Sequence, residues 1–191
     1  VHPIIQGDAA SRHALTLALG GERAMSRIGS PDIKLVQLSQ EDLQALASSE
    51  PTHALASAPE GALPPPHVAA RSLEQLRTGT PPFWCAPFMI VAADSSAILG
   101  GCRFKGIPIS GSVEIGYGVA VSERGRGVAT AAVETLLGLA AANGATQVVA
   151  HIVPDNVASA KVVSRLGFSS GHPILDQDGE TVVPWSYQIA T

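Results

Sequence analysis

Apolar positions recur with period two in some stretches of the chain and with period 3.6 in others, and the two periods outline its elements. "DIKLVQL" (Asp32–Leu38) alternates weakly and predicts a strand. "SQEDLQALAS" follows, with Ser39 at an N-cap position and acidic residues in the first turn, so a helix starts there. The Pro-rich "APEGALPPPHV" (Ala58–Val68) reads as a loop rather than a domain linker, because a helical pattern resumes in "VAARSLEQLRTG". Leu73 and Leu76 give that helix its apolar spacing, and Gly79 supplies a stop. "PFMIVAAD", "AILGGCRF" and "SVEIGYGVAV" predict three successive strands in an antiparallel meander, punctuated by Asp94-Ser95-Ser96 and by the Gly106–Gly111 segment.

From Gly127 the period lengthens. Val133, Leu136, Leu137 and Ala140 follow the template of a helix with one core face, and Asn143-Gly144 closes it. "TQVVAHIV" is almost continuously apolar, as expected of a strand buried on both faces. "PDNVASAKVVSRLGF" predicts a second helix, with Asn156 near its start and Gly167 as its C-cap. The last stretch reads as a hairpin turning at Asp178-Gly179, with Pro184 marking an edge or a bulge. The expected fold is mixed α/β (α+β), a mostly antiparallel sheet of about six to seven strands flanked by about four helices. One domain is expected over residues 31–191, after an N-terminal extension (1–30) to which no role is assigned; "RHALTLALGGERAM" within it reads as a short helix or as an added leader.

Composition narrows the class. Hydrophobic residues make up 46% of the chain but aromatics only 4%, so Ala, Val, Leu and Ile must build the core. No apolar run approaches the roughly 20 residues of a membrane span, and the beginning lacks the basic-then-apolar order of a secretory signal. A cytoplasmic protein, monomeric or homodimeric, is therefore expected. Cys85 and Cys102 form no C-x-x-C pair; reduced, buried thiols are the reading taken, with a disulfide between them as the alternative. His2, His13, His53, His67, His151 and His172 show no ligand spacing, so no metal site is expected. A net charge of −4 without a basic cluster argues against nucleic acid as a partner.

Candidate chemistry concentrates in "VSERGRGVATAAVETLLG" (Val121–Gly138). A glycine-rich turn between a strand and a helix N-terminus suits an anion, because the first helical amides lack internal partners and the helix dipole is positive there. Gly125 and Gly127 let an anion approach the backbone, and Arg124 and Arg126 add charge. The plain alternative is a tight turn with solvated arginines. A dinucleotide fingerprint is excluded because its last glycine position holds Thr130, and no Gly-Lys-Ser/Thr loop exists. What remains is Arg-x-x-Gly-x-Ala, at Arg124, Gly127 and Ala129.

That motif resembles the pyrophosphate-binding loop of the GCN5-related N-acetyltransferases, which hold acetyl-coenzyme A. "VEIGYGVAV" precedes it as the family's fourth strand would, and "DNVASAKVVSRLGF" resembles its second cofactor-side helix. The likeness is strong over about 88–168 and weaker over 32–87, and within the superfamily it is most similar to the ribosomal-protein alanine N-acetyltransferase-like branch. The resemblance implies an acetyl-CoA-dependent transferase acting on a primary amine, of a small molecule or a protein N-terminus. It places pyrophosphate on the amides of Arg124, Gly125, Arg126, Gly127, Val128, Ala129 and Thr130. It places the pantetheine arm beside Val119, Ala120 and Val121, and near Asn156 and Ser159; Asn156 is equally suited to a plain helix cap.

Acetyl transfer to an amine needs removal of a proton from nitrogen, a donor for the oxyanion and a proton for the leaving thiolate. Strand alternation sets Val113, Ile115, Tyr117, Val119 and Val121 on one face and Glu114, Gly116, Gly118 and Ala120 on the other. Glu114, beside small residues, is the candidate base; the bland alternative is an exposed strand glutamate. Many relatives carry a tyrosine as general acid where this chain has Val163, so Ser159 is the substitute donor the resemblance suggests, while Tyr117 suits core packing. Phe83, Trp84 and Trp185 are candidates to line an acceptor pocket between the early helix pair and the final hairpin. The acidic balance favours a basic acceptor. Two rivals stand beside this reading. One is a hydrolase elbow at Gly167-x-Ser169-x-Gly171, disfavoured because a helix precedes it. The other is a non-catalytic acetyl-CoA-binding or sensor module of the same fold.

Overall fold

The computed structural model describes residues 31–190, and the extension at 1–30 lies outside the described residues. Strand β1 (Ile33–Gln37) leads into helix α1 (Gln40–Ala47), whose start is a full capping box. Ser39 Oγ accepts from the Asp42 amide at 3.1 Å, and the Asp42 carboxylate accepts from the Ser39 amide at 3.2 Å. Helix α2 (Pro66–Arg77) begins earlier than its apolar spacing predicts, because Pro66 is preset for the first helical position. A one-turn helix α3 (Pro82–Cys85), hidden in sequence by its two prolines, precedes the meander of β2 (Phe88–Ala92), β3 (Ile98–Phe104) and β4 (Ser112–Val119). A single 3-10 turn over Val121–Glu123 leads to helix α4 (Val128–Ala142), strand β5 (Gln147–Ile152) and helix α5 (Val157–Arg165). The chain ends in β6 (Ser169–Ser170), β7 (Ile174–Leu175) and β8 (Thr181–Gln188), one short strand more than expected.

These strands form one sheet in the order β1-β2-β3-β4-β5-β8-β6, with β7 also on β8. Every pairing is antiparallel except β4 with β5. Alternation along β2 shows how the faces are covered. Phe88 and Ile90 enter a core with Phe104, Ile115 and the inner face of α4, whereas Met89 joins Leu43, Leu46 and Ala69 of α1 and α2. The two helix pairs thus lie on opposite faces. Strand β5 departs from expectation: Val148, Ala150 and Ile152 are buried, but Val149 and His151 are only half-buried and look onto an open face.

Pro184 sits inside β8 opposite His151, yet breaks no bond. Its carbonyl accepts from Gly171 at 2.7 Å, so its missing N–H points toward the interval between β6 and β7 rather than toward β5. Cys85 and Cys102 are free, buried thiols, and burial pushes Cys102 up to about 12. Ser169 lies in a strand after a helix, the reverse of the order a nucleophile elbow needs. No helix of the described residues is long and apolar enough to cross a membrane, and no group of acidic, histidine and cysteine side chains among them could hold a metal.

Candidate active site

The glycine-rich turn has the geometry of an anion cradle. Gly125 (φ 75°) and Gly127 (φ 82°) both adopt the left-handed conformation that glycine enters without strain. Gly127 is the N-cap of α4 and has no side chain to satisfy the first helical amides, and the first intrahelical bond runs from Ala131 to Gly127. The amides of Val128, Ala129 and Thr130 therefore point out of the helix end, where the dipole is positive. Arg124, Gly125 and Arg126 are exposed beside them. Arg126 is tied to Glu123 at 2.9 Å, which leaves Arg124 as the arginine of the pair without an ion-pair partner among the described residues.

Strands β4 and β5 then part. Their register holds at Ser112↔Gln147, Val113↔Val148 and Glu114↔Val149 and stops there, although β4 continues to Val119. The bonds Lys105 N–H to Glu114 carbonyl and Ala120 N–H to Leu99 carbonyl set the parity of the β3–β4 ladder. By that parity Tyr117 and Val119 turn their N–H and C=O groups away from β3, into the gap that β5 has left. Val119 thus offers backbone groups where the resemblance puts the pantetheine arm. Ala120 and Val121 do not offer their amides: Ala120 N–H is spent on Leu99, and Val121 N–H donates to the Glu60 carbonyl at 3.0 Å.

Glu114 occupies the end of the paired segment. One carboxylate oxygen is bound by Lys105 Nζ and lies 3.0 Å from His151 Nδ1. Burial raises the proton affinity of this carboxyl, but the hydrogen bonds and charges of Lys105 and His151 outweigh it and hold the group below its ordinary value of 4.5. Neither partner is evident in sequence. His151 is two residues beyond Val149, the register partner of Glu114, so it shares that face of the sheet. A lone histidine interrupting the apolar strand "QVVAHIV" was the one signal for it.

Asn156 and Ser159 lie across the sheet from Glu114. Asn156 is the N-cap of α5, its Oδ1 accepting from the Ser159 amide at 3.0 Å, so capping is its observed contact. The Ser159 carbonyl accepts from the Tyr117 hydroxyl at 3.0 Å, and burial pushes that phenol up to about 12. Tyr117 otherwise packs on the core, as alternation predicts. Val163 is wholly buried. The structure thus brings Tyr117 and Ser159 together on one face and Glu114, Lys105 and His151 together on the other, with the β4–β5 gap between them.

Two cavities open on the Glu114 face. One, of about 530 Å³, is walled by residues 61–65 and the first half of α2 on one side and by Gly101, Arg103, Gly116 and Gly118 on the other. The second, of about 790 Å³, is lined by Glu114 and His151 and by the β7–β8 hairpin. Arg71, Lys105 and Asp178 border both, so the two join along β4. An early helix and the final hairpin wall these spaces, as expected, but the expected aromatics do not. Phe83 and Trp84 stack on Phe104 at 5.3 and 5.0 Å and Trp185 packs against the same core, because large rings gain more from burial than from lining a wet groove. Arg71 and Arg103, which do line the first cavity, were not singled out in sequence.

No curated protein matches the sequence. Among solved structures, the fold is similar to a ribosomal-protein-S5-alanine acetyltransferase from Vibrio fischeri, 18% identical, with a TM-score of 0.57 over 82% of this chain and 92% of that one. It is similar to RimJ of Mycobacterium smegmatis in complex with CoA-disulfide, 19% identical, with a TM-score of 0.57 over 82% of this chain and 81% of that one. It is also similar to a dodecameric spermidine N-acetyltransferase from Vibrio cholerae, 13% identical, with a TM-score of 0.58 over 82% of this chain and 94% of that one. These likenesses concern the fold. The family model described as "Acetyltransferase (GNAT) domain" matches residues 32–169, and the protein belongs to the GNAT acetyltransferases.

Proposed function

We propose that the protein transfers acetyl from acetyl-coenzyme A directly to a primary amine at the point where β4 and β5 part. One observation carries the reading. A single strand, β4, ends in the left-handed glycine turn with outward helical amides and begins beside the Glu114–Lys105–His151 cluster, so donor and acceptor sites are one strand length apart. Pyrophosphate oxygens are held by the amides of the Arg124–Thr130 turn, and the thioester arm runs along the open backbone groups of Tyr117 and Val119. Acetyl-CoA supplies the activated acyl group; the chain's own residues handle the protons. The Glu114–His151 couple takes the proton that leaves the amine, with Lys105 keeping Glu114 anionic. As the carbon–nitrogen bond forms and the carbon–sulfur bond breaks, the thiolate gains a proton, for which the Ser159 hydroxyl is the proposed donor, itself regaining a proton from solvent as it gives its own. The relatives named above are called acetyltransferases of a protein alanine and of spermidine, both primary amines, which supports that acceptor class.

Free-thiol release from acetyl-coenzyme A across a panel of amines and N-terminal peptides tests this reading. Glu114→Gln is expected to lower turnover by about 100-fold or more while leaving the cofactor Kd unchanged. Val163, buried where many relatives carry tyrosine, favours a second reading, a non-catalytic acetyl-CoA sensor. Tight cofactor binding with no thiol released by any amine would establish that second reading.

A further inference from the structure

The first cavity contains a charge arrangement that acetyl transfer alone does not require. Arg103 is only 7% exposed, yet it lines the cavity beside Gly116 and Gly118 on the acceptor side of β4. Its one hydrogen bond is a long one, from Nη1 to Ser72 Oγ at 3.3 Å, and Ser72 is already engaged with the Val68 and Cys85 carbonyls. No carboxylate of the described residues lies within ion-pair distance of its guanidinium. Arg71, on α2, enters the same cavity; burial first and Arg71 second lower the proton affinity of Arg103, outweighing the opposite pull of Glu114 and Cys85. The third cation there, Lys105, is ion-paired with Glu114, which also draws on Arg103 from a distance. The two arginines thus share that carboxylate with a lysine and have Asp178 as the one acidic residue lining their cavity.

A buried guanidinium without an anion is costly, and in folded proteins such a charge is paired or hydrogen-bonded to something. Two forks converging on one cavity match a carboxylate, which accepts parallel N–H bonds from arginine. A polyamine or another purely cationic acceptor would be repelled. We infer that the acceptor amine carries a carboxylate of its own, held by Arg103 and Arg71 in the cavity between α2 and β3–β4, with its nitrogen turned along β4 toward Glu114. This inference rests on the acetyltransferase reading and reverses the sequence-based expectation of a basic acceptor, because the overall charge of −4 is not the charge of this cavity.

Two measurements on the full chain test it separately from that reading. In the first, N-acetylglycine, N-acetyl-L-alanine and N-acetyl-L-glutamate are titrated calorimetrically into protein saturated with coenzyme A, each beside its carboxamide. The carboxylates are expected to bind at least about 10-fold tighter, as charge-assisted bonds to arginine would require. Arg71 is exposed, so Arg71→Gln should fold, and it is expected to remove most of that difference. Arg103→Lys keeps the charge but loses the fork and is expected to weaken the carboxylates several-fold. Equal or weaker binding of the carboxylates, or a gap that Arg71→Gln leaves intact, overturns the inference. In the second, thiol release is followed with the corresponding free amino acids, their carboxamides and spermidine. Faster turnover of carboxamides or spermidine overturns the carboxylate site while leaving the acetyltransferase standing. Silence with every amine overturns the acetyltransferase, and the calorimetry still decides the carboxylate site.

Discussion

Gly100 shows how closely single atoms are constrained where β3 meets the end of β4. A Cβ at this position would meet the Gly118 carbonyl oxygen at 2.3 Å and Val119 Cα at 2.9 Å, and both neighbours are backbone. Gly100 therefore lets β3 lie close against the end of β4, where Tyr117 and Val119 present their free groups. Gly100→Ala is expected to cost about 1–3 kcal/mol, read as a lower denaturation midpoint, and to weaken cofactor binding by displacing β4. Glu114 is constrained differently, through charge. Lys105 and His151 hold it as a carboxylate, so Glu114→Gln, which removes the negative charge, leaves Lys105 without its ion-pair partner and alters the contact with His151. Arg103 is the counterpart in the cavity beside α2, a buried guanidinium with no carboxylate of the described residues at ion-pair distance.

The start of helix α5 depends on one side chain. Its first turn relies on Asn156 Oδ1 for the Ser159 amide, and the adjoining Ser159 carbonyl is held by Tyr117. Asn156→Ala is expected to lose about 1 kcal/mol of stability and to fray the turn that presents the Ser159 hydroxyl. A chemical denaturation curve reads the first effect and the cofactor Kd the second. At this scale the chain was largely legible. A weak alternation marked β1, apolar runs between turn residues marked β2 to β4 and a nearly continuous apolar run marked β5. The switch at Gly127, the Asn143-Gly144 stop and the Asn156 and Gly167 caps bounded α4 and α5 to within a residue or two. What was hidden is pairing. Nothing local says that β4 and β5 separate after Glu114, that β8 inserts between β5 and β6, or that His151 meets Glu114, because such contacts depend on register between distant segments. The aromatics misled for a related reason: Phe83 and Trp84 sit in a short helix whose direction, unknown in sequence, turns them inward.

For the whole molecule, Glu114 gives the stability a dependence on pH. The folded pKa of Glu114 lies below its ordinary value of 4.5, so this group adds stability above that value and loses it as the pH falls through the folded pKa. The stability gap between the wild-type chain and Glu114→Gln is therefore expected to be widest near neutrality and to close below 4.5; a gap that widens in acid would show the opposite shift. The architecture explains why this cluster matters beyond its own contacts. The antiparallel meander of β1 to β4 and the block of β5, β8, β6 and β7 meet in the sheet through only the register Ser112↔Gln147 to Glu114↔Val149. Past that short seam the sheet is a crack whose tip is Glu114, bridged to the far bank by His151. A ligand lying in the crack, as proposed for the acetyl-coenzyme A arm, is expected to act as the missing strand between the two halves, so that adding it should raise the denaturation midpoint of the whole fold.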